Sequence, residues 1–269
     1  MVIAVFADEL VDRWTVRLRE EVPDAVAIFV GGSHLRGDAG PDSDVDFHVV
    51  VADGPRDEWP AWFDVNAGRL VRISAWVRDV DAWLATEDEP QEWAFYLAAA
   101  DPMRLCWAAD DGWQERLDRT QMIHPPGPPE VDHFEGEVGK VTNAYRGGDD
   151  VGVRLAAQDL ARSIASMLQP LNAHPPATSR REALRVLLDF HVVPSGYEHD
   201  MLACLGLVDH VDTSEVHAAA CRLAGGTMEI VQTNASVFAP LVPADAAASI
   251  GDGSLRRYIN QIIDHAVDR

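Results

Sequence analysis

Val30-Gly31-Gly32-Ser33-His34-Leu35-Arg36-Gly37-Asp38-Ala39-Gly40-Pro41-Asp42-Ser43-Asp44-Val45-Asp46-Phe47-His48-Val49-Val50-Val51 decides how the rest of the chain is read. A Gly-Gly-Ser corner leads into a loop of Gly, Pro and Asp, and the loop leads into an apolar run. The run just before it, residues 25–30, is apolar throughout and of strand length, as a strand covered on both faces requires. Residues 44–51 read as the second strand. In a strand, residues i and i+2 point to the same face, so Asp44 and Asp46 stand side by side. Two adjacent carboxylates repel, and a cation between them removes the repulsion. Capping asparagine-like turns and strand starts also favour Asp, so the pair alone is equally a solvated strand end.

Outward from this stretch, residues 7–20 carry apolar side chains at Leu10, Val11, Trp14, Val16 and Leu18, the spacing of an amphipathic helix. Ser33 is placed to cap a short helix over 34–37, and 38–43 is loop by composition. Residues 58–66 are expected as a short helix with Trp59, Trp62 and Phe63 turned inward. Residues 69–77 alternate and predict a third strand. Helices are expected over 79–84 and 89–99, a short strand over 103–107, and a helix from Trp113 to Arg119.

His124-Pro125-Pro126-Gly127-Pro128-Pro129 ends this pattern, since four prolines in six residues fit neither a helix nor a central strand. Beyond it helical periodicity dominates, over 131–145, 151–171, 179–188, 199–208, 214–235 and 255–267. The expected architecture is α/β (α+β): a mixed sheet with flanking helices over 1–123, a proline-rich linker over 124–129 and an all-helical bundle over 130–269.

The chain has 269 residues, 47% of them apolar, with 44 acids against 22 bases and a formal net charge of −22. A field of that sign repels nucleic-acid phosphates, so nucleic acid is not the expected partner. It attracts cations, whether a divalent metal or a cationic small molecule. No run approaches the ~20 apolar residues of a membrane helix, and the acidic N-terminus lacks a secretion signal's basic start; a cytoplasmic location without membrane contact is expected. The three cysteines, Cys106, Cys204 and Cys221, have apolar neighbours and no CxxC spacing, so buried thiols are expected rather than a zinc site. The eight tryptophans lie between positions 14 and 113 and read as packing residues.

Gly32-Ser33, ten residues, then Asp44-Val45-Asp46 on a strand resembles the signature of the nucleotidyltransferase superfamily that includes DNA polymerase beta. The loop from Arg36 to Ser43 is similar to its small bacterial branch. A helical half behind the α/β half is similar to the aminoglycoside and lincosamide nucleotidyltransferases. The resemblance implies transfer of a nucleoside monophosphate, AMP from ATP or another nucleoside triphosphate, to a hydroxyl on a small-molecule acceptor, a cationic antibiotic being one such acceptor. Asp44 and Asp46 would ligate one or two Mg²⁺ ions, Gly32 and Ser33 would receive the triphosphate, and Arg36 would neutralise it. The acceptor would lie in a cleft between the halves, and the helical half could pack on a second copy, as a homodimer. Transfer to a protein or RNA, or nucleotide binding without transfer, are the alternatives.

One departure stands out. The superfamily's third carboxylate belongs on the strand over 69–77, which offers Arg69, Arg72 and Ser74 but no acid. Some antibiotic-modifying relatives place a catalytic carboxylate on the helical half instead. There Glu135, Glu137 and Asp159 are the candidates, and Glu135 is taken as the catalytic base.

Overall fold

Strict alternation along the second strand explains how the first half is built. In a computed structural model of the chain, β1 (Ala25–Val30) and β2 (Val45–Val51) pair antiparallel, Val30 opposite Phe47 and Ile28 opposite Val49. The structure describes all residues except 1, 2, 37, 38, 40–42, 53, 67, 86–89, 121, 122, 268 and 269. Most of the loop expected over 38–43, and Gly37, therefore lie outside the described residues.

Val45, Phe47 and Val49 point to one face, where they meet Leu10, Val11, Trp14 and Leu18 of α1 (Ile3–Glu21) in a single apolar cluster. The opposite face carries Asp46, His48 and Val50. Val50 joins Ala27 and Phe29 of β1 beneath Trp83 and Trp113. Phe29 stacks on Trp83 with ring centroids 5.1 Å apart. Each face buries apolar surface against helices, the main favourable contribution to a two-sided sheet. On β2 the polar part of this second face is Asp46 and His48.

After β1 the chain turns into α2 (Ser33–Arg36), which begins at Ser33 itself. The cap expected from the Ser33 side chain is supplied instead by the Gly32 carbonyl, which accepts from the N–H groups of Leu35 (3.2 Å) and Arg36 (3.4 Å).

Residues 58–66 are not a helix. They contribute β3 (Asp57–Glu58) and β4 (Ala61–Asn66), both antiparallel to β5 (Arg69–Asp79). Trp59 and Phe63 face outward, 64% and 65% exposed, and Trp62 packs on Trp14. Tryptophans three apart suit a helix face, but Trp, Phe and Val also favour a pleated surface, and pairing with β5 decides the outcome.

β5 runs parallel to β2, Asp46 opposite Ser74 and His48 opposite Trp76. It leads into α3 (Val80–Ala85), which carries Trp83. The helix expected over 89–99 is reduced to one 3-10 turn, Glu92–Ala94, because Phe95 and Tyr96 adopt left-handed backbone with φ 56° and 58°. β6 (Ala99–Ala100), β7 (Arg104–Ala108) and α4 (Gly112–Thr120) follow, α4 carrying Trp113, and then β8 (Ile123–His124). The six-stranded sheet runs β3-β5-β2-β1-β7 with β4 also on β5, and β6 pairs with β8 apart from it.

The second half is helical: α5 (Val131–Gly147), α6 (Asp150–Leu168), α7 (Arg180–Leu188), α8 (Tyr197–Cys204), α9 (Thr213–Thr233), α10 (Ala235–Phe238), α11 (Ala244–Gly251) and α12 (Ser254–Val267). Side-chain caps start three of them, Asp149 on α6, Ser179 on α7 and Asp212 on α9. Pro243 takes the cap position of α11. α5, α6, α9 and α12 pack together. By internal contacts the chain forms two units, residues 1–89 with 99–125 and residues 90–98 with 126–269. Segment 90–98 joins the helical unit through backbone bonds, Gly127 N–H to Tyr96 O (2.8 Å) and Ala177 N–H to Ala98 O (2.9 Å). The three cysteines are free thiols, and among the described residues no helix is long and apolar enough to cross a membrane.

Candidate active site

The two aspartates sit at the mouth of the β1–β2 hairpin, where the Gly-Gly-Ser corner folds back over β2. Asp46 is the second residue of β2 and Asp44 immediately precedes the strand. The Gly31 N–H donates to the Asp46 carbonyl at 2.9 Å, which fixes the corner against the strand. Gly32 then adopts φ +75°, a conformation that favours glycine. A Cβ built on Gly32 would lie 2.7 Å from Asp46 Oδ2. The missing side chain is thus what lets the corner come this close to that carboxylate, and Ser33 and Arg36 follow directly on α2, both partly buried.

Each carboxylate has a donor of its own. Ser74 donates its hydroxyl to Asp46 Oδ1 at 2.5 Å, and Arg72 Nη1 donates to Asp44 Oδ2 at 3.3 Å. Both lie on the strand where the resemblance would place a third acid. The site therefore answers the mutual repulsion of Asp44 and Asp46 with a hydroxyl and a guanidinium rather than adding a further negative charge. Sequence reading had both residues on the strand but missed their roles, which follow from the parallel register of β5 on β2.

His48, next on the same face, lies beside Trp76 and under Gly31. Burial pushes its imidazole down to about 4; Asp101 opposes that shift and Arg78 adds to it. At neutral pH it is an uncharged ring and adds no positive charge to the aspartate pair.

Glu135 belongs to the other unit, on α5, where it is half-buried. Glu137, one of its neighbours, is 1% exposed and accepts from Lys140 Nζ at 2.6 Å. Lys140 is the only lysine of the chain. Asp159, on α6, pairs with Arg162 at 3.5 Å.

Among the described residues, the one group of three metal-ligand side chains lying together is His199, Asp200 and Glu215. Arg222 already stands between its two carboxylates, with Nη2 2.7 Å from Asp200 Oδ1 and 2.6 Å from Glu215 Oε1. A guanidinium supplies the positive charge there, and the cluster is an ion-pair network of the helical unit.

Two protein families match the chain, and they follow its two units. A nucleotidyltransferase domain matches residues 15–92, which span the hairpin, the aspartate pair and β5. A nucleotidyltransferase substrate-binding domain matches residues 130–233. No curated protein matches the chain. Among solved structures, a nucleotidyltransferase-like protein from Exiguobacterium sibiricum 255-15 is similar over 94% of this chain and 90% of its own, at 12% identity and a TM-score of 0.43. The chain thus carries a nucleotidyltransferase domain followed by a nucleotidyltransferase substrate-binding domain, the domain pair of a transferase.

Proposed function

We propose that the chain transfers a nucleoside monophosphate, AMP from ATP in the presence of Mg²⁺, to a hydroxyl of a small molecule. The observation that carries this reading is the close approach of the Gly32 backbone, at φ +75°, to the Asp46 carboxylate, with Asp44 just ahead of the same strand. Asp44 and Asp46 offer the hard carboxylate oxygens that Mg²⁺ takes. Bound there, the cation would offset charge developing on the phosphoryl oxygens.

The residues of the chain then have separable tasks. Gly32 lets the backbone come close to the triphosphate, Ser33 donates to a phosphate oxygen, and Arg36 balances phosphate charge. Ser74 holds the Asp46 carboxylate in one orientation. In the reaction the acceptor oxygen bonds to the α-phosphorus, the bond from that phosphorus to the bridging oxygen breaks, and pyrophosphate leaves. The hydroxyl proton goes to a general base, assigned to Glu135. Glu137 is already held by Lys140, whereas Glu135 has no hydrogen-bond partner among the described residues.

The test is pyrophosphate release from ATP and Mg²⁺ over a panel of hydroxylated small molecules. Asp44→Asn and Asp46→Asn should each lower the rate by about 100-fold or more. Turnover equal to the parent would remove the assigned site. The hydroxyl and guanidinium in place of a third acid favour a second reading, nucleotide binding without transfer. ATP binding by calorimetry with no pyrophosphate from any acceptor would select it.

A further inference from the structure

The helical unit contains a groove of about 550 Å³ whose charge is opposite to that of the chain. Arg162, one turn after Gln158 on α6, forms one wall, and Arg180 and Arg181 at the start of α7 form the other. The apolar part of the lining comes from Phe95, Leu184, Leu205 and Leu207. Among the described residues no acid lines it, although acids outnumber bases 44 to 22 in the whole sequence. Arg162 keeps only long contacts to Asp159 (3.5 Å) and Glu92 (3.8 Å). Among the described residues Arg180 and Arg181 pair with no carboxylate, and the Arg180 guanidinium stands 5.9 Å from the Phe95 ring centroid.

The Phe95 wall is set by the backbone. Phe95 and Tyr96 both hold positive φ, and Phe95 is 5% exposed. Two consecutive non-glycine residues in the left-handed region cost free energy, and such positions cluster at ligand sites. Here the bend places a buried aromatic face beside the arginines.

We propose that this groove binds a small organic anion: an apolar or aromatic body bearing a carboxylate or phosphate. The guanidinium fork matches those oxyanions in shape and charge. The volume is that of an ordinary small-molecule site. The net charge of −22 suggests a cationic acceptor, but charges beyond a Debye length of ~8 Å are largely screened, so the three guanidinium groups of the lining, with Asp159 and Glu92 against Arg162, weigh most in the local field. The groove residues on α6 and α7 fall within the substrate-binding match over residues 130–233. The inference deepens the transfer reading and rests on it in one respect: it makes the acceptor of that transfer an organic anion.

The test is calorimetric titration of the whole chain with 1-naphthyl phosphate, 1-naphthoate, 1-naphthol and 1-naphthylmethylamine. The two anions should bind at least ~10-fold tighter than the alcohol, and the amine weakest of all. Arg180→Gln/Arg181→Gln, at exposed positions, should cost the anions about 10-fold or more while circular dichroism stays that of the parent. Leu184→Glu, which puts a carboxylate into the groove, should do the same with every arginine in place. Asp44→Asn/Asp46→Asn should leave anion binding unchanged, which separates failure of the groove from failure of the transfer site. Equal binding of alcohol and anions, no binding at millimolar probe, unchanged affinity in the arginine variant, or loss of anion binding in the aspartate variant would each overturn the proposal.

Discussion

Ser74 and Asp46 face each other across the parallel pairing of β5 and β2, and the Ser74 hydroxyl donates to Asp46 Oδ1 at 2.5 Å. A small donor therefore stands where a carboxylate would meet the aspartate pair. Ser74→Ala should leave Asp46 free to rotate and lower pyrophosphate release by about 10-fold, with little change in the KM for ATP. Ser74→Asp should act differently. A third carboxylate beside two others repels them, so the variant should melt lower than the parent without divalent cation and gain more on addition of Mg²⁺. Thermal melts with and without Mg²⁺ check this, and an Mg²⁺ shift equal to the parent's would mean that position 74 does not face the cation.

Gly32→Ala tests the corner itself. The φ of +75° costs an L side chain about 1 kcal/mol, and the added Cβ would meet Asp46 Oδ2 at 2.7 Å. Something must shift, and the Asp46 side chain is what can. Urea unfolding should show a loss of about 1–2 kcal/mol, and nucleotide affinity should fall further than stability alone explains. An intact ATP titration isotherm would show that the Gly32 corner beside Asp46 does not hold the nucleotide.

The parts of this molecule that can be read from sequence are those whose partners are close in the chain. The Gly32, Ser33, Asp44 and Asp46 constellation lies within one hairpin, and the apolar runs around it have strand length. The helices after Pro129 show their period over several turns. Arg72 and Ser74 are 28 residues from the aspartates they serve, and only the register of two parallel strands brings them there. The same reason hides β4: Trp59, Trp62 and Phe63 fit a helix face by spacing, and the edge of β5 makes them a strand. Phe95 and Tyr96 carry no glycine to announce their left-handed turn, so the groove that Phe95 borders is invisible to local pattern.

Asp64, on β4, ties the sheet to α1 and should give the stability a pH dependence. It accepts from Arg13 Nη2 (2.8 Å), Trp14 Nε1 (2.7 Å) and the Val65 N–H (2.7 Å). The Arg13 hydrogen bond first, then those of Trp14 and Val65, hold its carboxyl below the usual carboxylate range, against the opposing effect of desolvation. A depressed folded value means that the stabilisation is fully present above the unfolded value near pH ~4 and is lost as pH falls through the lower folded one. Asp64→Asn should thus cost about 1 kcal/mol or less at pH 7, since Arg13 is largely exposed. Below that lower folded value variant and parent should converge. Urea midpoints followed from pH 7 downward through the acid range check this, and a gap constant throughout would assign the loss to shape rather than charge.

In the helical unit, Asp200 is 2% exposed and is held by two hydrogen bonds from Arg222, 3.0 Å from Nε to Oδ2 and 2.7 Å from Nη2 to Oδ1. Removing one partner of such a pair leaves a buried charge uncompensated, which costs more than the pair contributes. Arg222→Met should lower stability by about 2–3 kcal/mol, less than a fully buried pair because the arginine itself is half-exposed. Adding Asp200→Asn to Arg222→Met should recover part of that loss, since the orphaned carboxylate is gone. The double-mutant cycle, read by urea unfolding, then gives a coupling of about 1–2 kcal/mol. Additive losses would mean that water reaches Asp200 once the guanidinium is removed. In that case the His199, Asp200 and Glu215 cluster would be open to cations, and a Zn²⁺-dependent rise in melting temperature confined to Arg222→Met would reveal it.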